Sequence, residues 1–337
     1  MKYPHWLTVA GIATSILLID TPQSSASISV TSKPAEIKVK QNYYAYSQPG
    51  ELANNLKKYE QNISCHDIED NSGLTHYQTW LNRGVALQQH EKYRESIVCL
   101  DRALSVRNDL EQAWYRRGIA LSYLQQYSQA AFSYEQAIKL DGKEHTSWYN
   151  QGNAYKHLGK YNKAIAANDQ AISRKPDFHV AYYHMAKVLE TTGKYQRAIA
   201  SYQKVTYLNP EYSSAWYAQA NLMTKLKQYT RAINVYQKIL KQQPNQHKAW
   251  YNLGNIYLQL KDYEQAISAY ESAIALKPDY YLAWNNRGAA LEALKQTKEA
   301  IKSYSKALQV NPGYEKALNN RRRLLLLVSN DLSIPYN

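Results

Sequence analysis

One aromatic column recurs every 34 residues through most of the chain, and it constrains the fold more than any other feature of the sequence. The column reads Trp80, Trp114, Trp148, Tyr182, Trp216, Trp250 and Trp284. We call these residues the anchors and count positions within each repeat from them. A fixed period of this length is typical of stacked helical units and not of one globular core.

Other columns keep the same spacing. A small residue stands four positions after each anchor: Gly84, Gly118, Gly152, Ala186, Ala220, Gly254 and Gly288. Twenty positions after the anchor the residue is usually tyrosine, as in Tyr134, Tyr202, Tyr236, Tyr270 and Tyr304, whereas Leu100 and Asn168 depart. Proline closes five of the units: Pro176, Pro210, Pro244, Pro278 and Pro312. The repeated unit therefore has a small, an aromatic and a helix-ending position.

Spacing within one unit predicts two helices. Trp250, Gly254 and Tyr257 share one helical face, and Ala266 and Tyr270 share another after a break near residues 261–262. One such pair cannot bury its own apolar face, so only stacking produces a continuous core. We expect the anchors to be buried in that core, where Trp→Ala would cost about 3–5 kcal/mol.

These columns resemble the tetratricopeptide repeat family, whose pattern is W-x2-L-G-x2-Y, then A-x3-F, then P. The resemblance implies an all-α fold, a right-handed α-solenoid of seven helix-turn-helix units with a C-terminal capping helix. The units would occupy residues 77–110, 111–144, 145–178, 179–212, 213–246, 247–280 and 281–314, together 77–314. The capping helix would follow at 315–328, and a tail at 329–337.

The N-terminal part lies outside the repeat. Residues 1–26 have a basic start, an apolar run of about fourteen residues and small residues at the end, which is the layout of a secretory signal peptide. An uncleaved membrane anchor is the alternative, although a span needs roughly 20 residues. Residues 27–76 read as a linker with a short amphipathic helix near Leu52–Ile63. Cleavage would place the protein in the periplasm or a lumen.

Two cysteines and a large positive charge leave alternatives open. Cys65 and Cys99 would form a disulfide after export, or remain two free thiols. The formal net charge of +14 could attract acidic proteins, anionic lipid or nucleic acid, or it could reflect a solvated lysine-rich outer face. A membrane contact would use the N-terminus or Arg321–Arg323.

No catalytic motif is present, so we expect no enzyme activity, no cofactor and no metal site. His145, His179 and His247 share a column three residues before the anchor, and equivalent residues of adjacent repeats are about 10 Å apart or more. That is too far for two ligands of one metal ion. His157 and His184 on neighbouring first helices have no carboxylate companion. A surface or helix-end role is the expectation for these histidines.

The resemblance places the first helix of each unit along a concave groove. Candidate groove residues lie one, two and five positions after the anchors: Tyr115, Tyr149, Asn150, Asn153, Tyr183, Lys187, Tyr217, Asn221, Tyr251, Asn252, Asn255 and Asn286. Asparagine can pair with a peptide backbone, and tyrosine supplies rigid contact area. The asparagine row is similar to that of the peptide-binding superhelix in O-linked N-acetylglucosamine transferases. Equally, these residues could serve only to pack neighbouring helices.

The sequence therefore predicts a non-enzymatic scaffold that binds an extended peptide or partner protein, with a role in assembly or biogenesis. The lysine that a chaperone-binding carboxylate clamp places one residue after the anchor never occurs here. A nucleic-acid-binding repeat protein and a peripheral membrane adaptor are the alternatives. The sequence does not indicate an oligomeric state.

Overall fold

The computed structural model of the protein describes residues 76–331. The predicted signal peptide at 1–26, the linker and short helix before residue 76, Cys65 and the last six residues of the tail lie outside the described residues. These predictions therefore stay predictions.

Throughout the described range the regular elements are α-helices, and no strand is present there. The helices are α1 (His76–Gln89), α2 (Tyr93–Val106), α3 (Glu111–Tyr123), α4 (Tyr127–Leu140), α5 (His145–His157), α6 (Tyr161–Arg174), α7 (His179–Thr191), α8 (Tyr195–Leu208), α9 (Ser213–Lys225), α10 (Tyr229–Gln242), α11 (His247–Gln259), α12 (Tyr263–Leu276), α13 (Tyr281–Ala293), α14 (Thr297–Val310) and α15 (Glu315–Asp331).

Each helix packs mainly against the next one in the chain, so α1 to α14 form seven stacked pairs and α15 covers the last pair. The helix preceding each repeat proline ends two residues before it, as Arg174 does before Pro176. Proline cannot continue a helix because it lacks an amide donor. The all-α repeat solenoid predicted from the sequence is confirmed. None of the described helices is long and apolar enough to cross a bilayer.

The centre of each helix pair is a contact between the small column and the tyrosine column. Tyr270 is fully buried, and a Cβ added to Gly254 would lie 2.7 Å from its ring. Gly118 and Gly288 have the same relationship to Tyr134 and Tyr304. Glycine allows this close approach in these three repeats, whereas the fourth and fifth repeats pair alanine with tyrosine at the same positions, Ala186 with Tyr202 and Ala220 with Tyr236.

The anchors are only partly buried, so the expectation of full burial is wrong. The indole N–H of Trp250 donates to the carbonyl of Pro244 at 3.1 Å, and Trp216 does the same to Pro210 at 2.7 Å. An indole that must reach a loop carbonyl lies at the edge of the core, where its N–H stays satisfied. Five anchors thus fix the turn before their own helix: Trp114, Trp148, Trp216, Trp250 and Trp284.

The turn inside each repeat uses a left-handed residue eleven positions after the anchor. Gly159 and Gly193 occupy it in two repeats, and Glu91, Gln125, Lys227, Lys261 and Lys295 occupy it in the others, all with φ between 57° and 73°. This conformation is costly for residues other than glycine. The predicted break near residues 261–262 is this turn.

Helix spacing varies along the solenoid. The pair α9/α10 and its junction with α11 pack less closely than the other repeats. Leu222 and Ile239 stand there in columns that hold alanine in most repeats, and both are buried. Larger side chains between two helices move their axes apart. The fifth repeat is therefore the loosest of the seven.

The last helix is longer than predicted, and its solvent-facing side is less polar than a capping helix would lead one to expect. It runs to Asp331 instead of residue 328, because no glycine or proline interrupts residues 329–331. Ala317 and Leu324 are buried against the seventh repeat. Leu318 and Leu325–Leu327 remain about half exposed. The cap is thus only partly polar on its outer side.

Candidate binding groove

The first helices of the repeats form one continuous layer. Contacts join α1 to α3, α3 to α5, α5 to α7 and α11 to α13, whereas no two second helices in the described range contact each other to the same degree. In a curved stack of helix pairs, the layer whose members lie closer together is the inner one. Positions one, five and eight after the anchor therefore face the groove, since they share one side of a first helix.

Three of the tyrosines one position after the anchors pack against the aromatic residue that precedes the next first helix. Tyr149, Tyr183, Tyr217 and Tyr251 are partly exposed, and Tyr115 is nearly buried. The ring centroid of Tyr251 lies 5.0 Å from that of Tyr280, the residue before α13.

The same arrangement recurs elsewhere in the groove. Tyr149 packs against Phe178 at 5.4 Å, and Tyr183 packs against Tyr212 at 4.9 Å. Tyr217 has Gln246 at the corresponding position, so the fifth repeat lacks this aromatic support. The clamped tyrosines present rigid aromatic edges to the groove.

Hydrogen bonds link the groove asparagines to the buried tyrosines. The Tyr270 hydroxyl donates to Asn255 Oδ1 at 2.8 Å, and Asn286 Nδ2 donates to the same oxygen at 2.9 Å. Asn286 Nδ2 also lies 3.2 Å from the Tyr251 hydroxyl. Each network joins two repeats across their boundary.

Neighbouring repeats show variants of the same network. The Tyr236 hydroxyl donates to Asn221 Oδ1 at 2.5 Å and accepts from Asn252 Nδ2 at 3.1 Å. Asn150 Nδ2 donates to the Tyr115 hydroxyl at 3.2 Å. Burial raises the pKa of Tyr236 and Tyr270, which keeps both hydroxyls protonated as donors. The asparagine row is thus part of the packing and also remains partly exposed, with Asn221 the most accessible.

The third and fourth repeats replace the tyrosine network by a histidine network. Asn168 stands where other repeats have tyrosine and is fully buried. Its Nδ2 lies 3.1 Å from His184 Nδ1, and His184 Nε2 lies 3.0 Å from Asn153 Oδ1. Because Asn153 Oδ1 can only accept, the Nε2 of His184 carries the proton. Burial, followed by the charges of Lys156 and His157, lowers the pKa of His184 to about 3, so the ring is neutral.

The histidine expectation is therefore right at the helix ends and wrong for His184. His145, His179 and His247 begin α5, α7 and α11, and their rings meet Phe178, Tyr212 and Tyr280 edge-on. His184 is buried instead of exposed. Two sequence features together could have predicted the burial of His184. It stands two positions after its anchor, and Asn168 replaces the tyrosine of the previous repeat. Within residues 76–331, no group of three or more His, Cys, Asp or Glu could hold a metal ion.

Sequence reasoning missed one groove column, eight positions after the anchor. Glu190 Oε2 there accepts hydrogen bonds from the Tyr202 hydroxyl at 2.8 Å and from Lys187 Nζ at 3.0 Å. Glu292 Oε2 accepts from the Tyr304 hydroxyl at 3.0 Å. The helical spacing to the two known columns would have revealed these residues.

Only one of the two cysteines in the predicted disulfide lies within the described residues. Cys99 lies on α2, is fully buried beside Leu87 and is not a free thiol. Its predicted partner Cys65 lies outside the described residues, so the pairing itself stays a prediction.

Comparison with known proteins agrees with this architecture. Two profiles, both described as tetratricopeptide repeat, match residues 111–143, 145–178, 247–280 and 281–319 in one case and 191–254 in the other. Together they cover more than half of the chain. No curated protein matches it.

Two of the similar solved structures, with TM-scores above 0.5, show the same fold. The C-terminal part of a TPR repeat-containing protein from Cytophaga hutchinsonii is 16% identical with a TM-score of 0.63, covering 71% of this chain and 98% of that one. A chain of a Naa15/Naa10 complex bound to HypK-THB is 17% identical with a TM-score of 0.54. The match covers 74% of this chain and 39% of that one. YrrB, described as a TPR protein with an unusual peptide-binding site, is 20% identical with a TM-score of 0.49. The match covers 57% of this chain and 99% of that one.

Proposed function

Because the chain belongs to the tetratricopeptide repeat family, whose arrays are protein-interaction scaffolds, we propose that it binds an extended segment of a partner protein along its concave groove. In this proposal the chain has no catalytic role of its own. It acts as an assembly or biogenesis factor, and the signal-peptide pattern of residues 1–26 supports a place outside the cytoplasm.

The line of clamped tyrosines carries this proposal. Tyr149, Tyr183 and Tyr251 are partly exposed, and each is braced by the aromatic residue that directly precedes the next first helix. A side chain that is already fixed loses little entropy when a ligand packs on it. Aromatic residues are also enriched at the centres of protein interfaces. The groove therefore offers preorganised aromatic contacts in the third, fourth and sixth repeats.

The asparagines support an extended ligand in particular. Asn221 uses its carbonyl oxygen on Tyr236, and its Nδ2 has no hydrogen-bond partner in the described residues. An amide fixed in this way can donate to a peptide carbonyl whatever the ligand's sequence. Binding spread over such contacts gives modest affinity that grows with the length of the segment.

Site-specific photocrosslinking in cells tests the proposal. A photoreactive amino acid replaces Asn221 in the groove or Tyr207 on the second helix α8, where Tyr207 is 77% exposed. We expect partner crosslinks from position 221 and none from position 207. Adding Tyr217→Ala and Tyr251→Ala should abolish the crosslinks without changing helical circular dichroism.

A matched control replaces Phe132 and Tyr207 by alanine. Both residues are exposed aromatics on second helices. This pair should leave the crosslinks from position 221 intact. Equal crosslinking from positions 207 and 221, or crosslinks that survive the groove substitutions, would contradict binding in the groove.

A further inference from the structure

The charged residues eight positions after the anchors differ in whether the side chain is hydrogen-bonded to a buried tyrosine. Glu190 and Glu292 both accept a hydrogen bond from the buried tyrosine of their own repeat. Lys156 occupies this column in the third repeat, where Asn168 replaces the tyrosine. Lys156 is partly buried, and its side chain has no hydrogen bond or ion pair in the described part of the chain. Its ammonium group is therefore the uncompensated charge of this column.

A second lysine lies nearby on the next first helix. Lys156 and Lys187 each stand one helical turn beyond Asn153 and His184, whose 3.0 Å hydrogen bond joins the two first helices, so the two lysines lie side by side in this layer. The charge of Lys187, after burial, lowers the pKa of Lys156, which agrees with this placement. Lys187 has Glu190 as its one carboxylate, at 3.0 Å, and that carboxylate is shared with Tyr202. Neutral His184, one turn before Lys187, offers no negative charge. Of the two cations, only Lys187 is paired with a carboxylate.

We infer that Lys156 and Lys187 form a subsite for an acidic side chain, Asp or Glu, of the partner segment bound in the groove. This inference rests on the proposed function and specifies the chemistry of its partner. A carboxylate between the two ammonium groups would accept charge-assisted hydrogen bonds from both. It would also remove their mutual repulsion. These positions differ from the lysine position of the carboxylate clamp, which tyrosine occupies here in most repeats.

The rest of the groove favours an acidic peptide over a nucleic acid. The fifth to seventh repeats present Asn221, Asn252, Asn255 and Asn286, which are neutral. A nucleic-acid strand carries a phosphate on every nucleotide and needs a continuous row of cations. A single two-lysine subsite, followed by neutral amides and the Glu292 carboxylate, fits a peptide that carries one acidic position.

Selection from a randomised peptide library displayed on phage tests the inference with the full chain as bait. We expect the enriched peptides to carry Asp or Glu at one recurring position. Lys156→Gln combined with Lys187→Gln should weaken the best labelled peptide by about tenfold, as expected for a lost charge-assisted hydrogen bond. Changing that acidic residue to its amide should weaken wild-type binding equally and leave the double variant unaffected.

Lys160→Gln with Lys194→Gln is the matched control. Both residues are exposed in the turns of the same two repeats, and the pair removes the same net charge. The control should bind like the wild type. Equal losses in both double variants would mean attraction to overall charge and would overturn the inference, as would displacement of the peptide by a single-stranded oligonucleotide at equal concentration.

His184 supplies an independent signal. Its neutral ring lies one turn before Lys187 and is bonded to Asn153 one turn before Lys156, so a carboxylate bound between the lysines should shift the ring resonances of His184 in NMR spectra recorded at neutral pH. Unchanged His184 resonances with bound acidic peptide would overturn the subsite. If selected peptides show no acidic preference, the subsite fails while groove binding stands. If no peptide binds, or binding ignores Tyr217→Ala with Tyr251→Ala, the proposed function itself fails.

Discussion

The hydroxyl of Tyr270 donates a 2.8 Å hydrogen bond to Oδ1 of Asn255. The tyrosine ring is fully buried on a second helix, and the asparagine lies on the groove side of a first helix. The same oxygen accepts from Asn286 in the next repeat. A core side chain therefore holds a groove side chain in place across a repeat boundary. Stability of the solenoid and the shape of the binding surface depend on the same bonds.

Tyr270→Phe tests this coupling. The ring would stay packed, but one hydrogen bond of a buried network would be lost, which should lower the free energy of unfolding by about 1 kcal/mol. Urea denaturation followed by circular dichroism measures the change. Tyr207→Phe is the control, since its side chain is 77% exposed. An equal effect of the two substitutions would show that the Asn255 bond contributes nothing.

Gly254→Ala should destabilise the sixth repeat through the same tyrosine. The added Cβ would lie 2.7 Å from a ring atom of Tyr270, which is buried and has no room to turn. Overpacking of this kind costs about 1–3 kcal/mol, more than alanine gains over glycine in a helix. Thermal unfolding would report the loss. In a Tyr270→Ala background, Gly254→Ala should cost nothing further, because the ring that the added Cβ meets is then absent.

The seven-pair solenoid could be predicted from the sequence because a 34-residue period directly reflects stacking. Hydrogen-bond partners could not be predicted in the same way. Asn255 meets Asn286, 31 residues later, only because neighbouring first helices lie side by side at one angle. The burial of His184 likewise depends on Asn168 leaving space in the previous repeat. Each of these contacts joins a residue of one column to a residue of another column in a different repeat. Neither column alone therefore predicts the contact.

Lys261→Gly should stabilise the protein. Lys261 adopts φ of 62°, a left-handed conformation that costs roughly 1 kcal/mol or more for a residue with a Cβ. Glycine adopts it freely and already does so at Gly159 and Gly193. The melting temperature should rise for Lys261→Gly and fall for Gly193→Ala. A Cβ at Gly193 would meet no other atom within 4 Å, so any loss there comes from the backbone. Opposite signs are required; changes in the same direction would contradict the explanation.

Glu111 at the start of α3 should make stability depend on pH. Burial, followed by the charges of Asp141 and Glu144, raises its pKa from 4.5 to about 7, and Arg116 only partly opposes this. The folded state therefore binds the proton more tightly than the unfolded chain. Its contribution to stability is fully present below about pH 4.5 and is lost as the pH rises to about 7.

Glu111→Gln removes this dependence because the amide does not ionise. The variant should melt higher than the wild type at about pH 8, and the difference should shrink steadily as the pH falls toward 4.5. Glu315→Gln is the matched control: Glu315 also begins a helix, α15, but is exposed. Both substitutions lose the favourable interaction of a carboxylate with a helix N-terminus. Relative to the wild type, only the Glu111 variant should gain stability as the pH rises. A stability difference that does not change with pH would show that ionising Glu111 in the folded protein costs nothing.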